Sequence, residues 1–431
     1  MTKRRLLAVL LLLVFILPAG CQRQGGEPPQ PTAPAPTVLP TPSPTPEPTP
    51  TPDPAAEALA GMTVEQKAAQ LLVAGIEGTE PGEDAVQAIQ GYQVGGVILF
   101  GRNVESAEQL AALTNGLKAL NGDHTPLFLC VDQEGGRVDR MPPEVSRTPS
   151  AWRVGQAMAR GTAGAEYGVL LAEECAAFGF NMDFAPSLDI WSNPDNTVIG
   201  DRAFGSDWEW VSDFSFRAVE AMAERGDVIP VVKHFPGHGD TAVDSHTALP
   251  VVDKTLEDLW QSELVPFDMV LSGQFWGEPV MEPTPAVMVA HILLSQIDPD
   301  NPASLSPEVV TGLLREEMGY EGVVCTDDLT MGAISNTYGM GEAAVLAVEA
   351  GCDLLLVCHG ADNLAEAHAA LVEAVDSGRI PEERLDESVY RVLSLKTVYG
   401  LSNAPVEAPD IEALNDRIAA LERSIEADTS Q

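Results

Sequence analysis

The chain is poor in basic residues. It carries 24 lysines and arginines against 64 aspartates and glutamates, a formal net charge of −40 over 431 residues. So acidic a surface repels phosphate backbones, which excludes nucleic acid as a natural partner and favours solubility. No Gly-x-Gly-x-x-Gly run and no Walker loop occurs, so nucleotide chemistry has no support. Cys-x-x-Cys is absent too, which removes the common structural zinc site. There are six cysteines, Cys21, Cys130, Cys175, Cys325, Cys352 and Cys358. Cys130, Cys325 and Cys358 end the apolar runs PLFLC, GVVC and LLLVC, and read as small core residues rather than a disulfide framework.

One long apolar run exists, LLAVLLLLVFIL, directly behind Lys3, Arg4 and Arg5. It has the length of a signal-peptide core and is too short for a comfortable membrane span. LPAGC follows and resembles the end of a bacterial lipoprotein signal, with Cys21 as the lipidated residue. Pro18 stands three before the cysteine, where such signals carry Leu. The expectation is export to the outer face of the cell membrane with a lipid anchor, simple secretion being the alternative. Residues 22–54 are Pro/Thr-rich without apolar periodicity, a semi-stiff tether in polyproline II.

From residue 55 on, short apolar runs alternate with amphipathic stretches. The candidate strands are 70–76, 95–100, 126–132, 181–186, 228–235, 286–291, 322–327 and 353–358. Their unbroken apolar character suits parallel strands buried on both faces. Residues 107–120, 306–318 and 363–378 have helical spacing, with Ser306 as N-cap of the second. Eight strands alternating with helices point to a (β/α)8 TIM-type barrel over 55–402; a doubly wound sheet shares the alternation. The tail 403–431 contains an amphipathic helix, with Ile411, Leu414, Ile418, Leu421 and Ile425 on one face, expected to dock on the body.

The unusual residues fall where barrel strands end. Asp132, Lys233, His234, His291 and Asp327 all close candidate strands, on the rim that carries barrel active sites. KHFPGHGDTAVDSH (233–246) is the densest polar run. His234 and His238 are four apart, but Pro236, Gly237 and Gly239 preclude the helix a zinc pair would need, so no metal is expected. Asp244 and His246 are two apart, a spacing at which a carboxylate can orient an imidazole and raise its pKa, making a proton donor near neutrality. By spacing alone a surface hydrogen bond is equally served. Asp327 ends a buried run and needs a partner or a task; Asp328 beside it suits a helix cap. VDQEGGRVDR adds Asp132, Glu134 and Arg137, and LDIWSNPDNTVIGDRAFG adds Asp189, Asn193, Asp201 and Arg202. Such clusters suit the many hydroxyls of a sugar.

In this order, VDQEGGRV, NPDNTVIGDRAFG, KHFPGHGDTAVDSH and GVVCTDDLTMGAI resemble the family-3 glycoside hydrolases. The similarity is narrower to the bacterial β-N-acetylhexosaminidases that remove N-acetylglucosamine from peptidoglycan fragments. It implies a retaining mechanism without cofactor. Asp327 would be the nucleophile, His246 the acid/base on a mobile loop, and Asp244 its partner. Asp132, Arg202, Lys233 and His234 would hold the sugar; Glu134, Arg137 and His238 would mainly shape loops. Muropeptides are the implied substrates. A neutral histidine base leaves room for phosphate as acceptor, hence a phosphorylase; β-glucosidase or β-xylosidase activity is the other alternative. Many family-3 β-glucosidases carry a second domain with a catalytic glutamate, and the end of the chain soon after the barrel favours the hexosaminidase branch. A polar stretch at 272–287 resembles an insertion expected to affect the leaving-group side.

Overall fold

A computed structural model describes residues 53–429, apart from 158–159, 246, 276–277 and 280–284. The signal segment, Cys21 and most of the Pro/Thr-rich tether lie outside the described residues. All eight apolar runs form strands: β1 (Leu72–Gly75), β2 (Gly96–Ile98), β3 (Phe128–Val131), β4 (Met182–Asp183), β5 (Ile229–Phe235), β6 (Ala286–Val289), β7 (Val324–Asp328) and β8 (Leu354–Val357). Each pairs in parallel with its neighbours in the chain, and β8 returns to β1, closing the barrel. The doubly wound alternative is thereby excluded.

Alternation along each strand sorts the core into two layers. Val73, Ile98, Phe128, Met182, Ile229, Val231, Met288 and Leu356 fill the barrel interior. Leu72, Val97, Leu129, Val232, Val287 and Leu355 point outward and pack under the helices. Full burial on both sides explains why the runs show no polar period. The five described cysteines are free and buried, among them Cys130, Cys325 and Cys358, which were expected in the core.

The main helices are α1 (Ala107–Asn121), α2 (Arg160–Ala177), α3 (Trp208–Arg225), α4 (Ala361–Asp376), α5 (Glu382–Val398) and α6 (Ile411–Thr429). Their starts follow capping chemistry. Ser106 accepts from the Gln109 amide at 3.2 Å, and Asp207 from the Glu209 amide at 3.0 Å. Residues Glu308–Glu317 form a helix with wide, π-type turns; Pro307 rather than Ser306 holds its N-cap position, and Ser306 Oγ, one residue earlier, accepts the Val309 amide at 3.3 Å. In α6, Leu414, Ile418, Leu421 and Ile425 are buried in the same core as α2, so the tail docks on the body. The described part of 272–287 follows the helix Leu264–Leu271 and leads into β6. A helix-to-strand connection lies at the N-terminal end of a barrel, away from the catalytic rim. Its Phe275 packs on α3, with the Arg217 guanidinium 4.0 Å over its ring. The expected influence of these residues on the leaving-group side is not supported.

The N-terminal end of β8 is fixed by Asp353, which is fully buried. It accepts from Arg315 at 2.5 Å, Ser388 at 2.6 Å, the Val324 amide at 3.0 Å and Arg391 at 3.2 Å. Removing one member of a buried ionic group leaves the others uncompensated, at a cost of about 3–5 kcal/mol. Asp353→Ala should lower the urea midpoint by that equivalent while leaving the slope of the transition unchanged.

Candidate active site

Because every strand is parallel, all strand C-termini open on one rim. Asp132 follows β3, Asp189 and Arg202 lie in the long connection after β4, Lys233 and His234 end β5, and Asp327 and Asp328 end β7. The Lys233–His234 peptide is cis, as are Ala185–Pro186 and Phe235–Pro236.

At the centre is a buried ionic cluster. Lys233, 1% exposed, places Nζ 2.6 Å from an Asp132 oxygen and 2.6 Å from a Glu134 oxygen. Glu134 receives Nε and Nη2 of Arg202, each at 2.8 Å. Burial pushes the Glu134 carboxyl up, but Arg202 and Lys233 outweigh it and hold the pKa far below normal. Burial pulls the Lys233 ammonium down; Asp132 and Glu134 more than restore it. Glu134 was expected mainly to shape a loop. It is instead the shared counter-ion of both cations. Gly135 and Gly136, at φ 69° and 55°, turn the chain so that its side chain points inward.

His234 is held on both ring nitrogens. Nδ1 lies 2.6 Å from the buried Asp189, and Nε2 lies 3.1 Å from Arg202 Nη2. A guanidinium only donates, so Nε2 accepts and the ring proton sits on Nδ1, donated to Asp189. Burial raises the Asp189 pKa, but His234 and His238 outweigh it and bring it to about 2. Asp189 also accepts from the His238 amide at 2.6 Å. His238 is buried between Thr241 at 2.9 Å and Ser245 at 3.2 Å, with its pKa lowered to about 4, chiefly by burial. Both imidazoles are thus committed to protein partners. Two glycines permit this course: Gly237 has φ 125°, and a Cβ on Gly239 would collide with the Ile190 carbonyl. Arg137 does shape its loop, donating to the carbonyls of Thr197, Val198 and Ile199 and pairing with Asp201.

Asp327 is half-buried on the cavity floor and accepts the Asp328 amide at 2.8 Å. Burial opposes its charge, yet His291, His234, that amide and Lys233 together keep its pKa below the usual carboxylate value. Asp328 does not cap a helix. It accepts from Thr330 and from the Cys358 amide, at 2.9 and 3.1 Å, tying β7 to β8. His291 is turned to Ser304 and to the Asp328 carbonyl, at 2.7 and 2.9 Å.

These residues line a cavity of about 210 Å³, below the ~300–1,000 Å³ of sites for drug-sized ligands and suited to one sugar ring. Asp132, Arg202, Lys233, His234 and Asp327 all face it. His246 lies outside the described residues. Its neighbour Ser245 is buried, lines the cavity, and holds the Ala333 amide at 3.1 Å, so the loop is anchored beside Asp327. Asp244 is on the exposed side of that loop and not on the cavity wall. Three supporting residues carried too little signal to be singled out. Gln133 donates its side-chain amide to Glu174 at 2.9 Å and its backbone amide to Asp183 at 2.8 Å. Burial raises the Glu174 pKa to about 8, so it is a neutral acid behind the cluster.

Glu134→Gln removes one charge from the cluster and should cost about 3–5 kcal/mol at neutral pH, read from urea midpoints. The folded pKa of Glu134 lies below its ordinary 4.5, so its contribution is complete above that value and is lost as the pH falls through the folded value. From about pH 5 downward, midpoints should therefore fall more steeply for the wild type than for the variant.

The Glycosyl hydrolase family 3 N terminal domain matches residues 63–395. The chain is 34% identical over 346 residues to Beta-hexosaminidase A of Pseudoalteromonas piscicida, covering 74% of this chain and 56% of that protein. It therefore spans little more than half of that relative. A Beta-hexosaminidase of Alkalilimnicola ehrlichii is 39% identical over 293 residues, 67% of this chain and 80% of its own length. Among solved structures, a family 3 beta-N-acetylglucosaminidase from Paenibacillus sp. matches with a TM-score of 0.78 and 41% identity, over 84% of this chain and 69% of the other. Beta-N-acetylhexosaminidase from Beutenbergia cavernae gives 0.71 and 31%, over 78% and 99%. With its barrel closed and its four motifs gathered on one rim, the chain belongs to glycosyl hydrolase family 3.

Proposed function

We propose that this glycoside hydrolase is an exported, retaining exo-β-N-acetylhexosaminidase. It removes non-reducing terminal β-linked N-acetylglucosamine from peptidoglycan fragments and is held at the outer membrane face by lipid on Cys21. The observation that carries the chemistry is the single-ring cavity, with charged, hydrogen-bonding side chains on one wall and an ionised carboxylate, Asp327, on its floor. The names of the similar hexosaminidases support the choice of sugar.

The mechanism follows from these groups. Asp132, Arg202, Lys233 and His234 hold the hydroxyls of the terminal sugar. An Asp327 oxygen attacks C1 as the bond from C1 to the leaving oxygen breaks, and His246, oriented by Asp244, gives that oxygen its proton. The products are the free leaving sugar, with its hydroxyl restored, and a covalent α-glycosyl–Asp327. His246, now neutral, takes a proton from water; the hydroxide adds to C1 and releases the Asp327 carboxylate. Keeping the nucleophile charged while the proton donor sits on a separate loop divides two incompatible pKa demands between two environments.

Nitrophenol release by the purified protein from β-N-acetylglucosaminide, β-glucoside and β-xyloside, with and without phosphate, tests the assignment. The N-acetyl substrate should be cleaved fastest, indifferent to phosphate. Strong stimulation by phosphate would mean a phosphorylase, and preference for the plain glucoside would place the chain in another branch. Asp327→Ala should lose at least ~10³-fold in kcat, as expected for a group acting on the reacting bond.

His246→Ala should lose about 10²–10⁴-fold on a natural disaccharide. The loss in kcat/KM, which reports cleavage of the glycosidic bond alone, should be smaller on the nitrophenyl glycoside, because nitrophenolate leaves without a proton. Equal losses on both would remove His246 from the role of proton donor.

A further inference from the structure

One wall of the cavity takes no part in this mechanism. Phe100, just past β2, and His359, just past β8, both line it. Their rings are nearly parallel, 22° apart with centroids at 5.8 Å. Phe100 is braced from behind: the Arg102 guanidinium lies 4.6 Å over its ring. Arg102 is itself held by the Cys358 carbonyl at 3.0 Å, the Ile76 carbonyl at 3.3 Å and Glu77 at 3.3 Å. The Phe100 amide donates to Asn103 at 2.9 Å, and the buried Asn103 donates to the carbonyls of Ile76 and Gly78. His359 nevertheless leaves 55% of its side chain exposed, 3.9 Å from Asp328. A braced aromatic surface facing a polar cavity is prepared for an apolar face of a ligand.

Topology says which part of the ligand. The groups that hold the terminal sugar come from β3, the connection after β4, and β5, centred on β4. In a closed ring of eight sequential strands, β8 stands opposite β4. On a pyranose, C1 and C4 are at opposite ends. With the hydroxyl end held near β4 and C1 over Asp327, the bond to the leaving group points across the barrel toward β8, where Phe100 reaches over from β2 to pack against His359. We propose that Phe100 and His359 form the platform on which the leaving sugar stacks its C–H face, a subsite for a β-linked pyranose rather than an alkyl or peptidyl group. This rests on the glycosidase reading above and extends it to the far side of the scissile bond.

The test compares wild type with Phe100→Leu, Phe100→Tyr and His359→Ala on two substrates sharing one terminal sugar. One is the β-1,4-linked disaccharide, the other the ethyl glycoside, whose aglycone is too small to reach the platform. The terminal sugar is whichever the nitrophenyl panel selects, so an error there overturns the branch assignment and leaves this comparison intact. The ratio of kcat/KM for disaccharide over ethyl glycoside should fall about five- to ten-fold in Phe100→Leu and His359→Ala, the size of one stacking contact. Phe100→Tyr, which keeps a ring, should keep the ratio. A ratio unchanged within about two-fold in both ring-removing variants, or one lost equally in Phe100→Tyr, overturns the platform.

Discussion

Everything at this rim depends on an ammonium group taken out of water. Lys233 projects into the barrel mouth with 1% exposure. A lone cation there would cost several kcal/mol or lose its proton. Two carboxylates hold it, Asp132 and Glu134, and the second is shared with Arg202. Two cations and two carboxylates balance, so the cluster stays ionised without solvent. It also connects β3, the connection after β4, and β5. The groups proposed to meet a sugar are therefore the same groups that fix the strand ends, and neither task can be relaxed separately.

A second layer holds the first. Asp189 fixes the His234 tautomer and the amide of His238. Gln133 sits between Asp132 and Glu134 and is locked by Glu174, Asp183 and the Arg140 amide. Glu174 works there as a neutral acid; a charge so close to Glu134 would oppose the cluster it supports. Side chains held this way need little rearrangement when charge develops on a substrate, which is the condition for electrostatic catalysis.

The barrel was legible because parallel strands leave a plain record: short apolar runs, each ended by a polar residue. Asp132, Lys233, His234 and Asp327 were legible for the same reason, since position at a strand end predicts a common rim. What the rim does with a side chain was harder to read. Glu134 sits in a Gly-Gly turn, and only backbone angles decide that it points inward. Asp328 looked like a cap, but its amide partner is Cys358, thirty residues on. Glu174 lies on the apolar face of α2 and shows no motif. Phe100 closes its apolar run without contrast, and His359 stands just outside the run 353–358 with no motif around it. Sequence marks chemistry by surprise, a charge where none is expected, and it is silent where an apolar residue is functional.

The proposed acid/base and nucleophile occupy different kinds of structure, and the chemistry explains why. Asp327 must stay within bonding distance of C1 in both halves of a retaining reaction, so it belongs on a strand, its carboxylate fixed by the next amide. The proton donor must first admit a leaving group and then a water at the same point. A group rigidly fixed over C1 would block one of them. The proposed donor belongs to the chain between His238 and Ala248. This stretch is pinned at Ser245 to His238 and to the turn after β7, while Asp244 faces solvent. The floor and the gripping wall are built for fixity, and exchange of leaving group for water is left to the loop of the proposed proton donor.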